Sequence, residues 1–187
     1  QITDEGLARL SSLPKLQQLS FSDCEGLDGL KLHHMRHLPL TELDISANQF
    51  PFKSFLKIPK YFPNLSNLNL AHCVQVTDTL LEHVITKCSA LKHLILESIP
   101  LLTNKTLHLL RYHSSFIESV NLQGNDQLDL NVIAALVKKG LHLIGGPVEL
   151  IILRNRSHLE AIVLRDIDKF TPMTVIRQLV LAQLREE

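Results

Sequence analysis

Apolar residues recur along this chain in one frame. Leu16, Leu19 and Phe21 lead to Cys24, Leu40, Leu43 and Ile45 to Asn48, and Leu65, Leu68 and Leu70 to Cys73. Leu91, Leu94 and Leu96 lead to Ile99, and Ile117, Val120 and Leu122 to Asn125. The closing positions 24, 48, 73, 99 and 125 are 24, 25, 26 and 26 residues apart. Leu159, Ile162, Leu164 and Ile167 repeat the frame after a step of 42, twice 21. Apolar positions two apart in each frame predict a short strand with one buried face. Stripes at helical spacing follow, the longest being Leu80, Leu81, Val84 and Ile85, with Leu7/Leu10 and Leu107/Leu110 as shorter examples. Thr3 or Asp4, and Thr77 or Asp78, stand where a helix N-cap would satisfy free amides. Neither strand nor helix buries its apolar side alone, so the register predicts stacked units sharing one core.

The pattern loosens in two places. Pro51, Pro59 and Pro63 interrupt an aromatic-rich stretch, which predicts an extended connection or a short helix over 50–63. After Asn125, Val132, Ile133, Leu136 and Val137 predict a helix ended by Gly140. A sixth strand is expected over 141–144 and a further helix over 148–156, with 129–170 holding two short units or one distorted one. Thr171 or Thr174 opens a last helix with Val175, Ile176, Leu179, Val180 and Leu184 inward. The expected organisation is a repeat domain over 1–170, irregular after 128, followed by a helix over 171–187. That helix caps the stack or begins a following helical domain. The chain opens on Gln1 in the tail of a unit, so it reads as a fragment of a longer protein.

One unit carries a fuller signature: Cys73, Val76-Thr77-Asp78 and Cys88. Ile2-Thr3-Asp4 matches its middle element, and Leu102-Thr103-Asn104 is a variant. With five strand motifs in register, the pattern resembles the cysteine-containing class of the leucine-rich repeat family, found in F-box and other cullin ubiquitin-ligase substrate receptors. In that class Cys or Asn closes the strand, a hydrophobic-Thr-Asp element opens the helix, and a second Cys ends it. Leu27-Asp28-Gly29-Leu30 lacks the Thr-Asp pair, and Ile99 cannot make the polar contact of Cys or Asn. The resemblance covers 1–128 well and 129–170 poorly. It implies an α/β solenoid, a horseshoe arc with parallel strands on its concave face and helices and irregular segments on its convex face.

The resemblance also implies which side chains face the concave surface. Gln18, Ser20, Glu42, Asp44, Asn67, Asn69, His72 on the rim, His93, Glu97, Ser119, Asn121 and Gln123 form the candidate partner-binding face. Ser22, Ser46, Ala71 and Ile95 are interspersed, and Ala161, Val163 and Arg165 would continue it. An open row of polar and small groups suits a protein or peptide better than a small molecule, which wants a closed pocket. Glu42, Asp44, Glu97 and nearby Asp23 make the face mildly acidic, so a basic partner complements it. With no Trp and two Tyr in the chain, few aromatic anchors are expected there. The simpler alternative is that these are solvated strand positions.

Composition narrows the field. Lys plus Arg and Asp plus Glu are 19 each, a balance that argues against binding nucleic acid and against self-repelling disorder. Three cysteines cannot form a closed disulfide set, which points to a reducing compartment. No apolar run reaches the roughly 18 residues of a membrane span, and the last helix lacks a lysine band for a membrane surface. An intracellular setting, cytoplasmic or nuclear, is expected. Cys24 and Cys73 should turn inward to bond loop backbone, and Cys88 should pack at a helix end. On a helix His33 and His37 would share a face, but no Glu follows the first His as in a metalloprotease helix, so His33, His34 and His37 read as solvated convex surface. His72 and His93, one unit apart near the concave rim, leave open a minor reading as neighbours that tune partner binding with pH. Glu42 and Asp44 would work as an acid and base pair only in a dried cleft, and phosphate-loop and nucleophile-elbow motifs are absent. The sequence thus implies no enzyme, metal or cofactor. It implies a protein-interaction module, read through the resemblance as the substrate-recognition part of a cullin-type ligase receptor whose adaptor or cullin contacts lie outside this chain. The alternative is a structural or regulatory scaffold without a ligase role, and the wider family also includes nuclease inhibitors and GTPase regulators.

Overall fold

The computed structural model describes residues 3–24, 26–113, 116–129, 132, 133, 136, 141–144, 150–155 and 158–163. Each of the first five frames yields a three-residue strand: β1 Gln18–Ser20, β2 Glu42–Asp44, β3 Asn67–Asn69, β4 His93–Ile95 and β5 Ser119–Asn121. β6, His142–Ile144, is the expected sixth. They form a six-stranded sheet in chain order, parallel throughout. Its register aligns Leu19, Leu43, Leu68, Leu94, Val120 and Leu143. Leu43, Leu68, Leu94 and Val120 are buried, and Leu19 on the edge strand is partly so. The ladder runs one residue past each of β1 to β4, with Phe21 N donating to Asp44 O (3.0 Å) and Leu70 N to Ile95 O (2.9 Å).

Behind the sheet stand α1 Asp4–Arg9, a 3-10 helix Leu30–Met35, two single turns α2 Phe52–Phe55 and α3 Ile58–Tyr61, then α4 Asp78–Lys87 and α5 Asn104–Tyr112. The short turns over 52–61 are what the prolines predicted. Threonine caps each helix of the signature type: Thr3, Thr77 and Thr103 hydroxyls accept from Gly6 N, Leu80 N and Lys105 N. The neighbouring acid works between units instead. Asp78 accepts from Thr103 N (2.9 Å), Thr103 Oγ1 (2.7 Å) and Thr106 Oγ1 (2.6 Å), tying the start of α4 to the start of α5.

Closing residues do the same work inside. Asn48 Nδ2 donates to Phe21 O (2.8 Å) and Ile45 O (3.0 Å), while its Oδ1 accepts from Cys24 N (3.2 Å). Cys73 Sγ donates to Ile45 O at 3.3 Å. Asn125 donates to Leu96 O (2.7 Å) and accepts from Ile99 N (2.9 Å), so the unit closed by Ile99 is served by the next one. Asn48 and Asn125 each satisfy backbone of two units, and Cys73 reaches back to the unit before it, which locks their spacing.

Two expectations fail after residue 144. The helix over 148–156 is replaced by β7, Leu150–Asn155, paired antiparallel with β8, His158–Val163, in a separate two-stranded sheet. A short apolar run such as 150–153 does not distinguish strand from helix by periodicity, and the antiparallel partner decides it. Ala161 and Val163 therefore lie in this hairpin and do not extend the parallel sheet, a correction to the frame ending near Ile167. Val137, Gly140, Arg165 and the helix over 171–187 lie outside the described residues.

Candidate partner-binding face

Because side chains alternate along a strand, burying the central leucine row turns its flanking rows to the other side. The register makes Gln18, Glu42, Asn67, His93 and Ser119 one row and Ser20, Asp44, Asn69, Ile95 and Asn121 the next. Twelve candidate residues from the sequence thus fall on or beside one face. Residues of β1 to β4, from Gln18 to Ile95, line a shallow depression of about 440 Å³ there.

The second row has a structural duty that the frame alone did not reveal. Asp44 Oδ1 accepts from Ser46 N (2.9 Å) and Ser46 Oγ (2.7 Å). Asn69 Oδ1 accepts from Ala71 N (3.0 Å) and Asn121 Oδ1 from Gln123 N (2.9 Å). Each is an Asx turn closing its strand. The residue after each turn enters the left-handed region: Ala47 at φ 56°, His72 at 59° and Gly124 at 71°. At Gly124 a Cβ would also collide with Ser98 Oγ. The readable signal was the repeated Asx two residues before the turn.

The first row is knitted by lateral contacts. Gln18 Nε2 donates to Glu42 Oε1 at 2.9 Å, and His93 Nδ1 lies 2.8 Å from Ser119 Oγ. His93 Nε2 is 3.9 Å from Glu118 Oε2, and Glu118 pairs with Lys92 at 2.6 Å. The Lys92 hydrogen bond and charge hold the Glu118 carboxyl below its ordinary range. Sequence reasoning passed over Lys92 and Glu118 because they precede their strands, although their 26-residue spacing was available.

Three residue pairs lie apart from one another. His72 and His93 are not neighbours. His72 N bonds Glu97 O, and four strand residues, about 13 Å, separate that site from His93. His72 Nε2 lies 3.9 Å from Glu97 Oε1, which puts the two imidazoles beside different glutamates. Glu42 and Asp44 are engaged separately, by Gln18 and by Ser46. His33 and His37 do not share a helix turn, since the 3-10 helix ends at Met35. His33 Nδ1 donates to Leu30 O (2.6 Å) and His37 Nε2 to Ser11 O (3.0 Å).

The thiols stand where expected. Cys73 and Cys88 are buried, and burial pushes their pKa values up to about 11 and about 12, far from a nucleophile's range. Cys24, partly buried, donates to Ser22 O at 3.4 Å. Among the described residues, no group of three or more His, Cys, Asp or Glu could hold a metal ion, and no helix is long and apolar enough to cross a membrane.

A family model described as "FBD-associated F-box protein At5g56370, LRR repeats" matches residues 4–147, the stretch that carries all six parallel strands. The fold resembles a non-catalytic repeat domain that offers a row of side chains on one face. On the strength of that match and of the strand register it explains, this chain belongs to the family of F-box-associated leucine-rich repeats.

Proposed function

We propose that the sheet's open face is the concave side of a leucine-rich repeat horseshoe of the cysteine-containing class, and that it binds a basic protein or peptide. The observation that carries the reading is the face itself: six parallel strands without a Lys or Arg among their residues, with Glu42 and Asp44 in a depression of about 440 Å³. Charge complementarity of this kind speeds encounter and rejects acidic partners. The family's F-box name favours a finer reading, the substrate-recognition part of a cullin-type ubiquitin ligase receptor. Adaptor and cullin contacts would then lie outside this chain, in the cytoplasm or nucleus. A scaffold without a ligase role is the second reading, favoured by the turns that occupy Asp44, Asn69 and Asn121.

The test is capture from cells by the full-length protein with Glu42→Lys, Asp44→Lys and Glu97→Lys, its folding checked by circular dichroism. Basic partners should be lost. Recovery of the same partners by the charge-reversed protein rejects the face. Co-capture of an adaptor and a cullin separates the ligase reading from the scaffold.

A further inference from the structure

From β1 to β5 the second row is broken once. Ser20, Asp44, Asn69 and Asn121 are polar, and β4 places Ile95 among them, 36% exposed. Ile95 lines the same depression as Glu42 and Asp44. Only β3 lies between β2 and β4, so Asp44 and Ile95 sit two strand spacings apart, about 9.6 Å. A polyproline II helix has three residues per turn and rises about 3.1 Å per residue, so its positions i and i+3 share a face about 9.3 Å apart. A β-extended peptide repeats a face every second residue, about 6.7 Å, and misses this spacing.

Resting on the reading above, we propose that the face takes a peptide in polyproline II conformation lying across the strands. A basic residue sits against Glu42 and Asp44, and an apolar residue three positions away covers Ile95. Between them lie Asn67 and Asn69. Their Oδ1 atoms are engaged by Ser66 Oγ (3.0 Å) and Ala71 N (3.0 Å), so their NH₂ groups are the donors that remain. Polyproline II carbonyls have no internal hydrogen bonds and accept from such donors. The preformed conformation also limits the entropy lost on docking.

The variants that test this preserve the fold. Asp44→Asn and Ile95→Asn install what β3 and β5 already carry in the same row, where Asn closes the same turn. Glu42→Gln keeps an acceptor for Gln18. The probes are fluorescein-labelled proline-rich peptides with one arginine and one leucine separated by two, three or four positions, titrated by anisotropy into the full-length protein at low salt. The three-position peptide should bind about tenfold tighter than the others. Changing its arginine to glutamine should cost about tenfold with the wild type and nothing with E42Q/D44N. Changing its leucine to alanine should matter for the wild type and not for I95N. Equal affinity at all spacings, arginine dependence that survives in E42Q/D44N, or no binding overturns the proposal. If the lysine substitutions abolish capture in cells while the peptides show no spacing preference, the crossing geometry is wrong and the face stands. If capture is unaffected, the face reading itself falls.

Discussion

The segment between β3 and β4 and the segment between β2 and β3 fill equivalent places behind the sheet by different means. The first is the ten-residue helix α4, capped by Thr77, with Leu80, Leu81, Val84 and Ile85 buried. The second has no helix longer than four residues and buries Phe50, Phe55, Ile58 and Phe62. Phe50 packs at 5.7 Å from Phe55 and 6.1 Å from Phe21 between ring centroids. The strands beside both segments nevertheless keep one register, Leu43 to Leu68 to Leu94. The sheet therefore asks for apolar volume at its back and not for a helix, and aromatic rings supply it at high area per residue. The difference lies in the backbone. A helix satisfies its own amides in one run, whereas the irregular segment uses separate turn bonds, such as Ser54 N to Pro51 O (2.8 Å) and Phe62 N to Ile58 O (2.9 Å), with His83 Nε2 of the next unit donating to Leu56 O (3.1 Å).

The largest effect should come from removing the aromatic substitute. Phe50→Ala should cost about 3–5 kcal/mol in urea denaturation, matching or exceeding about 2–5 for Leu81→Ala in the helical unit. A loss under about 1 kcal/mol for Phe50→Ala would show that the rings do not replace a helix face. Next come the closing residues. Asn48→Ala strips bonds to Phe21 O, Ile45 O and Cys24 N and should cost about 2–3 kcal/mol. Cys73→Ala loses one sulfur bond and some packing, about 1–2 kcal/mol, so the irregular unit should prove the more dependent on its closing side chain.

A smaller effect is expected at Gly29, whose φ of 69° starts the 3-10 helix and whose absent Cβ would lie 3.0 Å from Phe50 Cδ2. Gly29→Ala should cost about 1–2 kcal/mol, and combining it with Phe50→Leu should recover part of that loss in thermal melts. The smallest effect belongs to the helical unit and depends on pH. Burial raises the Asp78 pKa, but hydrogen bonds from Thr106 and Thr103 outweigh it and leave the carboxyl below its usual 3.8. A depressed folded value means stability present above the unfolded pKa and lost as pH falls through the folded one. Asp78→Asn should therefore cost about 1 kcal/mol near neutrality, after allowance for solvent screening, and the gap to the wild type should close in strong acid. A pH-independent gap in paired denaturation curves would remove Asp78 as the charged tie between α4 and α5.

Much of this architecture was legible because stacked repeats print their geometry on the chain. Leucines two apart gave the strands, constant spacing gave the parallel register, and Cys73, Thr77 and Cys88 gave one complete unit. The same register placed the candidate face, since alternation leaves no choice about which residues oppose the buried row. Less legible were features made by contacts between units. The Asx turns at Asp44, Asn69 and Asn121 draw polar groups from the face into the backbone, and the two histidines part because their rows lie at opposite strand ends.

What the sequence determined alone is periodic: where each parallel strand falls, which residues share a row, and where the threonine-capped helices start. What only the tertiary structure decided is pairwise and non-local. Phe50 lies against Phe21 and Phe55 in place of a helix face, Asn125 serves the unit closed by Ile99, and Leu150–Asn155 pairs antiparallel with His158–Val163 in place of a helix and a further parallel strand. Periodicity is a property of one segment, and those outcomes depend on which other segment satisfies its apolar area and its amides.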